Sequence, residues 1–237
     1  MDRIRRILLA VRGGALPADA LARAAHLGDE VNVLHVVDED GRSESDFVSA
    51  VATHARVVGA ELIVLAPEDA ASGSAVTGLV HASGLPVLLA RAARASNIVA
   101  ATDLTDADFP IVRRASALAS QLGMTLVALH SFDPSTADVA AGTPRACSPS
   151  RAGFEQAREE RLDLAVASAG ANARPVMRSG MDAARVILEE ARVLNADLVV
   201  VGVRKRGWLD RLLGTSVART VVDGSRRSVL VAPLASS

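Results

Sequence analysis

The chain has 237 residues, with 26 Lys and Arg against 27 Asp and Glu, for a formal net charge of −1. That balance supplies no global field for nucleic acid or anionic lipid and argues against a general nucleic-acid binder. Half of the residues are apolar but only 2% are aromatic, so the cores must be built from Ala, Val and Leu, which suits helices lying on a parallel sheet.

Short apolar runs bounded by turn residues alternate with segments of helical period, the pattern of a parallel sheet built by right-handed crossovers. The apolar run after Met1-Asp2-Arg3-Ile4-Arg5-Arg6 is too short for a signal peptide or a membrane span. Cys147, the one cysteine, has no partner for an internal disulfide. Both features predict a soluble cytoplasmic protein. Strands are predicted at about 4–11, 31–37, 61–66 and 86–90, then at about 97–101, 125–131, 173–178, 197–202 and 228–232. After Asp103, the spacing of Ile111, Ala115, Leu118 and Leu122 predicts a helix with one face on the sheet, and Pro110 falls in its first turn. Residues 92–96 read as a connector. The Pro-, Ser- and Ala-rich stretch 133–151, which holds Cys147, reads as a surface loop or a lid.

The chain also repeats itself. Leu34-His35-Val36-Val37-Asp38 returns as Leu129-His130-Ser131-Phe132-Asp133, and Gly59-Ala60-Glu61-Leu62-Ile63-Val64-Leu65-Ala66 as Asn195-Ala196-Asp197-Leu198-Val199-Val200-Val201-Gly202. Gly73-Ser74-Ala75-Val76 is echoed by Gly214-Thr215-Ser216-Val217 in the same order. The repeat divides the chain into two tandem units, 1–94 and 95–237, and the first is shortened because segment 153–178 has no counterpart between Asp38 and Gly59 beyond a single helix. A repeat complete only once predicts binding in one half and scaffolding in the other.

On parallel α/β sheets, ligands gather beyond the carboxyl ends of the strands. In the second half those positions are Thr102-Asp103, Ser131 and the segment from Gly202 to Ser216, which carries Arg204, Lys205, Arg206, Trp208 and Gly214. Glycines admit a phosphate to the backbone, a helix starting near Thr215 would aim free amides at it, and the basic run adds charge. Each feature also has a plain reading. Asp103 can cap a turn, the basic run can be a solvated loop, the glycines can serve geometry alone, and Trp208 can pack in its loop or meet a partner. The five histidines show no metal spacing, and His35 and His130, in apolar strands, are expected to be hydrogen-bonded core residues. Gly207 to Gly214 lacks the spacing and the Gly-Lys-Ser/Thr end of a Walker loop, and no complete acid, base or nucleophile set is visible, so no enzyme is predicted.

On these residues the chain resembles a tandem protein of the universal stress protein family, the UspA-like α/β proteins whose nucleotide-binding members share a Gly-x2-Gly-x9-Gly-Ser/Thr loop. The resemblance implies two Rossmann-like units with mostly parallel sheets flanked by helices. It implies a stress-response function with ATP or a related adenine nucleotide, and magnesium, in the second half. Asp103 in Ile98-Val99-Ala100-Ala101-Thr102-Asp103 would face adenine, Ser131 would line the base pocket, and Gly202, Gly214, Thr215 and Ser216 would hold ribose and phosphates. Lys205 stands where the second loop glycine belongs, with eight rather than nine residues before Gly214, and either helps hold phosphate or blocks it. In the first half Arg12 replaces the adenine-facing Asp and the loop shrinks to 67–72 with Glu68 and Asp69, so that half is expected not to bind nucleotide. The last strands of the two halves are expected to pair as an intrachain pseudo-dimer, with further homo-oligomerisation. The alternative is a nucleotide-independent scaffold or partner-binding protein whose sites have both decayed.

Overall fold

The computed structural model describes residues 4–13, 16–36, 43–67, 72–91, 96–133, 151–170, 172–204 and 216–234. The fold is α/β, with mostly parallel sheets flanked by helices. In chain order the described elements are β1 (Arg6–Arg12), α1 (Ala18–Leu27), β2 (Glu30–Val36), α2 (Glu44–Val57), β3 (Leu62–Leu65), α3 (Gly73–Ser83), β4 (Val87–Leu89) and β5 (Asn97–Ala101). They continue as α4 (Pro110–Leu122), β6 (Thr125–Phe132), α5 (Arg151–Ala169), β7 (Ala173–Ser179), α6 (Ala183–Val193), β8 (Ala196–Arg204), α7 (Val217–Gly224) and β9 (Ser228–Leu234).

By contacts the chain forms two compact units, one of 1–95 with 197–237 and one of 96–196. In the first, the strands run β2-β1-β3-β4-β9-β8. All neighbours are parallel except β4 and β9, which pair antiparallel with Leu88 opposite Leu230. This is the predicted pairing of the two last strands. It draws 197–237, which belongs to the second repeat by sequence, into the first unit by contact. In the second unit β5, β6 and β7 are all parallel.

Local sequence explains the elements. Ile7, Leu8, Leu9, Leu62, Ile63, Leu65, Ile98, Leu126 and Leu129 are fully buried, as expected of strands covered on both faces. Helix α2 opens with a reciprocal cap between Ser43 and Asp46. Helix α4 opens on Pro110 and closes on Gly123 at φ 65°, where a side chain would be strained. Of its predicted face, Ile111, Ala115 and Leu118 are buried and Leu122 is half-buried.

The expectation for the paired histidines splits. His130 is buried, but His35 is exposed. The cause is the missing segment: α5 and β7 are present in the second unit, and among the described residues β2 has no counterpart of either. Leu126 and Ala128 of β6 are both 0% exposed, whereas Val33, which aligns with Ala128, is 40% exposed.

Candidate functional site

Of the seven predicted site residues, Asp103, Ser131, Gly202 and Ser216 are described, and Lys205, Gly214 and Thr215 lie outside the described residues. Trp208, Cys147, Glu68, Asp69 and the stretch 134–150 also lie outside them.

The structure brings Asp103 and Ser131 to the carboxyl ends of neighbouring parallel strands. Ala101 at the end of β5 lies opposite Leu129 of β6, and the Thr102 N–H donates to the Leu129 carbonyl at 2.9 Å. Gly202 and Ser216 belong to the other unit. Gly202 pairs with Ala232 of β9, and Ser216 caps α7 through its carbonyl, which accepts from the Thr220 N–H at 3.0 Å, while its hydroxyl makes no cap bond.

Asp103 is exposed, and its Oδ1 accepts from the Thr105 N–H at 3.0 Å and from the Thr105 hydroxyl at 2.8 Å. This carboxylate therefore builds the turn after β5, the structural role open to it in the sequence. Two further features hold the turn. Leu104 sits at φ 60° with its side chain buried, and Arg161 of α5 donates to the carbonyls of Leu104 and Thr105, the latter at 3.3 Å.

His130 locks the same turn from the strand side, with Nδ1 2.9 Å from the Thr102 carbonyl oxygen. A carbonyl only accepts, so Nδ1 carries the proton and a neutral ring leaves Nε2 as a lone-pair acceptor. Burial pushes the imidazole below its usual range; the Thr102 bond opposes this, the nearby Arg158 cation adds to it, and Asp103 opposes it in turn. Arg158 lies over Phe132 at 5.4 Å and over Phe154 at 4.1 Å, and Phe132 stacks on His130 with ring centres 6.4 Å apart.

His130 Nε2, Ser131 Oγ and Arg158 Nη1 are all buried with no hydrogen-bond partner. Each such atom costs about 1–3 kcal/mol unless something fills its valence. Ser131 leaves β6 on the face opposite His130, in register with Arg178, which donates to Glu190 Oε1 at 2.7 Å. Glu190 Oε2 is a further unfilled acceptor. Both faces of the strand end thus carry unspent hydrogen-bonding groups of mixed sign, suited to a polar ligand with donors and acceptors. Among the described residues no group of three His, Cys, Asp or Glu is assembled that could hold a metal.

The corresponding place in the first repeat is filled by the protein itself. Ser72 caps α3, and its hydroxyl donates to Glu44 Oε2 at 2.8 Å, while Ser74 donates to Glu44 Oε1 at 3.1 Å. The Gly73 N–H donates to Asp223 Oδ1 of α7 at 2.6 Å. Two carboxylates occupy the positive end of the helix, where a phosphate would otherwise go. Arg12, at the position of the missing Asp, lies 5.7 Å over the Phe47 ring. Sequence reasoning missed Glu44, which stands 30 residues from Ser74, and Asp223, which stands 150 residues from Gly73; no local motif marks either.

Mostly parallel α/β units with polar groups at the carboxyl ends of the strands define the Rossmann-like class of folds. Residues 95–233 match the sequence model of the universal stress protein family, and the chain belongs to that family. A functionally unknown protein from Pseudomonas aeruginosa PAO1 has a similar fold, at 18% identity and a TM-score of 0.69, over 97% of this chain and 92% of that one. A universal stress protein from Archaeoglobus fulgidus DSM 4304 is similar at 15% identity and a TM-score of 0.58, over 96% of each chain. None of the curated proteins matches the sequence. Among the described residues no helix is long and apolar enough to cross a membrane.

Proposed function

We propose that this is a cytoplasmic stress-response regulatory protein whose second repeat, 95–237, binds ATP or a related adenine nucleotide with magnesium, while the first repeat is a scaffold. The observation that carries the reading is the Ser131 hydroxyl, buried without a partner at the carboxyl end of β6, beside the strand that leads to Asp103. Family membership supports it. Asp103 and Ser131 serve the base, and Gly202, Lys205, Gly214, Thr215 and Ser216 serve ribose and phosphates. The protein acts by binding rather than turnover.

A second reading, a nucleotide-independent scaffold or partner-binding protein, is favoured in the first repeat by the two carboxylates at the start of α3. Gly214→Val separates the two. A side chain there abolishes calorimetric ATP binding if the loop cradles phosphate, while the thermal stability of the chain stays as it was. Absence of ATP binding in the unsubstituted protein would leave the scaffold reading.

A further inference from the structure

The shortening of the first repeat leaves β2 with one hydrogen-bonding edge and one face unpartnered among the described residues. Among the described residues, strand β2 pairs only with β1 and stands at the end of its row. The Glu30 N–H donates to the Arg5 carbonyl at 2.8 Å and the Val36 carbonyl accepts from the Gly13 N–H at 3.1 Å. Successive residues of a strand point their backbone groups to opposite sides, so the even residues serve β1, while Val31, Val33 and His35 present theirs to the open edge. Those same three side chains share the face on which Val33 is 40% exposed and His35 is exposed.

The second unit supplies the comparison. Its strand β6, the repeat of β2, has β7 paired along it over seven residues. Strand β7 carries devices that discourage further pairing, namely Pro175, Arg174 and Arg178. Strand β2, Glu-Val-Asn-Val-Leu-His-Val, has no proline or permanent cation, and its single carboxylate sits at its first position.

We propose that β2 is a dimerisation edge that pairs antiparallel with β2 of a second copy about a two-fold axis through Val33. The register is self-complementary. Val33 faces Val33 of the partner subunit, and Val31 faces His35 of the partner subunit, and the reverse. These are hydrogen-bonded pairs, each exchanging both backbone bonds, so every outward N–H and C=O of Val31, Val33 and His35 is satisfied on both copies. On the exposed face valine meets valine at the centre, and no charged side chain lies in the paired stretch between Val31 and His35. A two-fold contact of this kind closes at two chains.

Three proteins measured by light scattering after gel filtration test this. The unsubstituted chain is expected at twice its mass of 24.5 kDa. Val33→Pro is expected at the single-chain mass with an unchanged far-ultraviolet spectrum, because the Val33 N–H is not used by β1. Val33→Cys on a Cys147→Ser background is expected to form a covalent dimer on oxidation, and this variant decides the matter if the proline variant does not fold. A monomeric unsubstituted chain would overturn the proposal. So would a dimer that survives Val33→Pro and is not cross-linked through position 33.

Discussion

Arg23 of α1 and Asp197 of β8, 174 residues apart, form an ion pair with side chains only 7% and 1% exposed, the guanidinium also lying 3.5 Å from the Ser228 hydroxyl. Ser228 in turn accepts from the Arg91 N–H at 3.0 Å and donates to the Arg91 carbonyl at 3.1 Å. The pair ties the first helix of the chain to the start of a strand from the second repeat. Desolvating both charges offsets most of their attraction, so the pair acts on stability chiefly through the cost of removing one partner and leaving the other buried.

Asp197→Ala is therefore expected to destabilise the chain by about 3–5 kcal/mol, because it strands a buried guanidinium. Adding Arg23→Met should recover much of the loss. Urea denaturation of the single and double variants measures both, and a single variant within about 1 kcal/mol of the parent would show that the pair is not desolvated.

At the start of α3 the fit is tight. A Cβ on Gly73 would sit 2.5 Å from the Arg219 carbonyl oxygen and 2.9 Å from Asp223 Oδ1. Gly73→Ala is expected to cost about 1–3 kcal/mol by overpacking the crossing of α3 and α7. Asp223→Ala should cost about 0.5–2 kcal/mol through loss of a helix-end acceptor. Neither variant is expected to give the first repeat a nucleotide site, since Glu44 still fills the helix end; calorimetry with ATP would reveal a second site if this is wrong.

His130 predicts a pH dependence. Its folded pKa lies below the ordinary value of 6.5, so the unfolded chain takes up the proton first. Its contribution to stability is complete above that value and declines as pH falls from it toward the folded pKa. Arg158 cooperates in holding the ring neutral and Asp103 opposes it. His130→Gln should flatten the stability profile as pH falls below the ordinary imidazole value of 6.5, read as thermal midpoints; an unchanged slope would assign it to other groups.

Much of the fold was legible because it rests on local pattern. The run Ile98 to Ala101 reads as a buried strand by its composition, and the pairing of the last strands is expected from a repeat that would otherwise leave edges open. The exposure of His35 was not legible from its strand, because burial there depends on a helix and a strand with no counterpart among the described residues of the first repeat. The site was legible in its positions, Asp103 and Ser131 at adjacent strand ends, but not in its partners. Arg161 reaches the turn after β5 from 57 residues away, and Arg158 reaches His130 from a different element, α5. Such contacts are made by tertiary packing and leave no periodic trace.

The nucleotide content of the purified chain tests the central claim most directly. The protein is denatured, the supernatant is chromatographed, and the stripped and refolded chain is titrated calorimetrically with ATP and magnesium. One adenine nucleotide per chain, with binding weakened about tenfold by Ser131→Ala through loss of one buried hydrogen bond, is the predicted result. No nucleotide and no heat of binding would contradict it and leave a protein that works through partners alone.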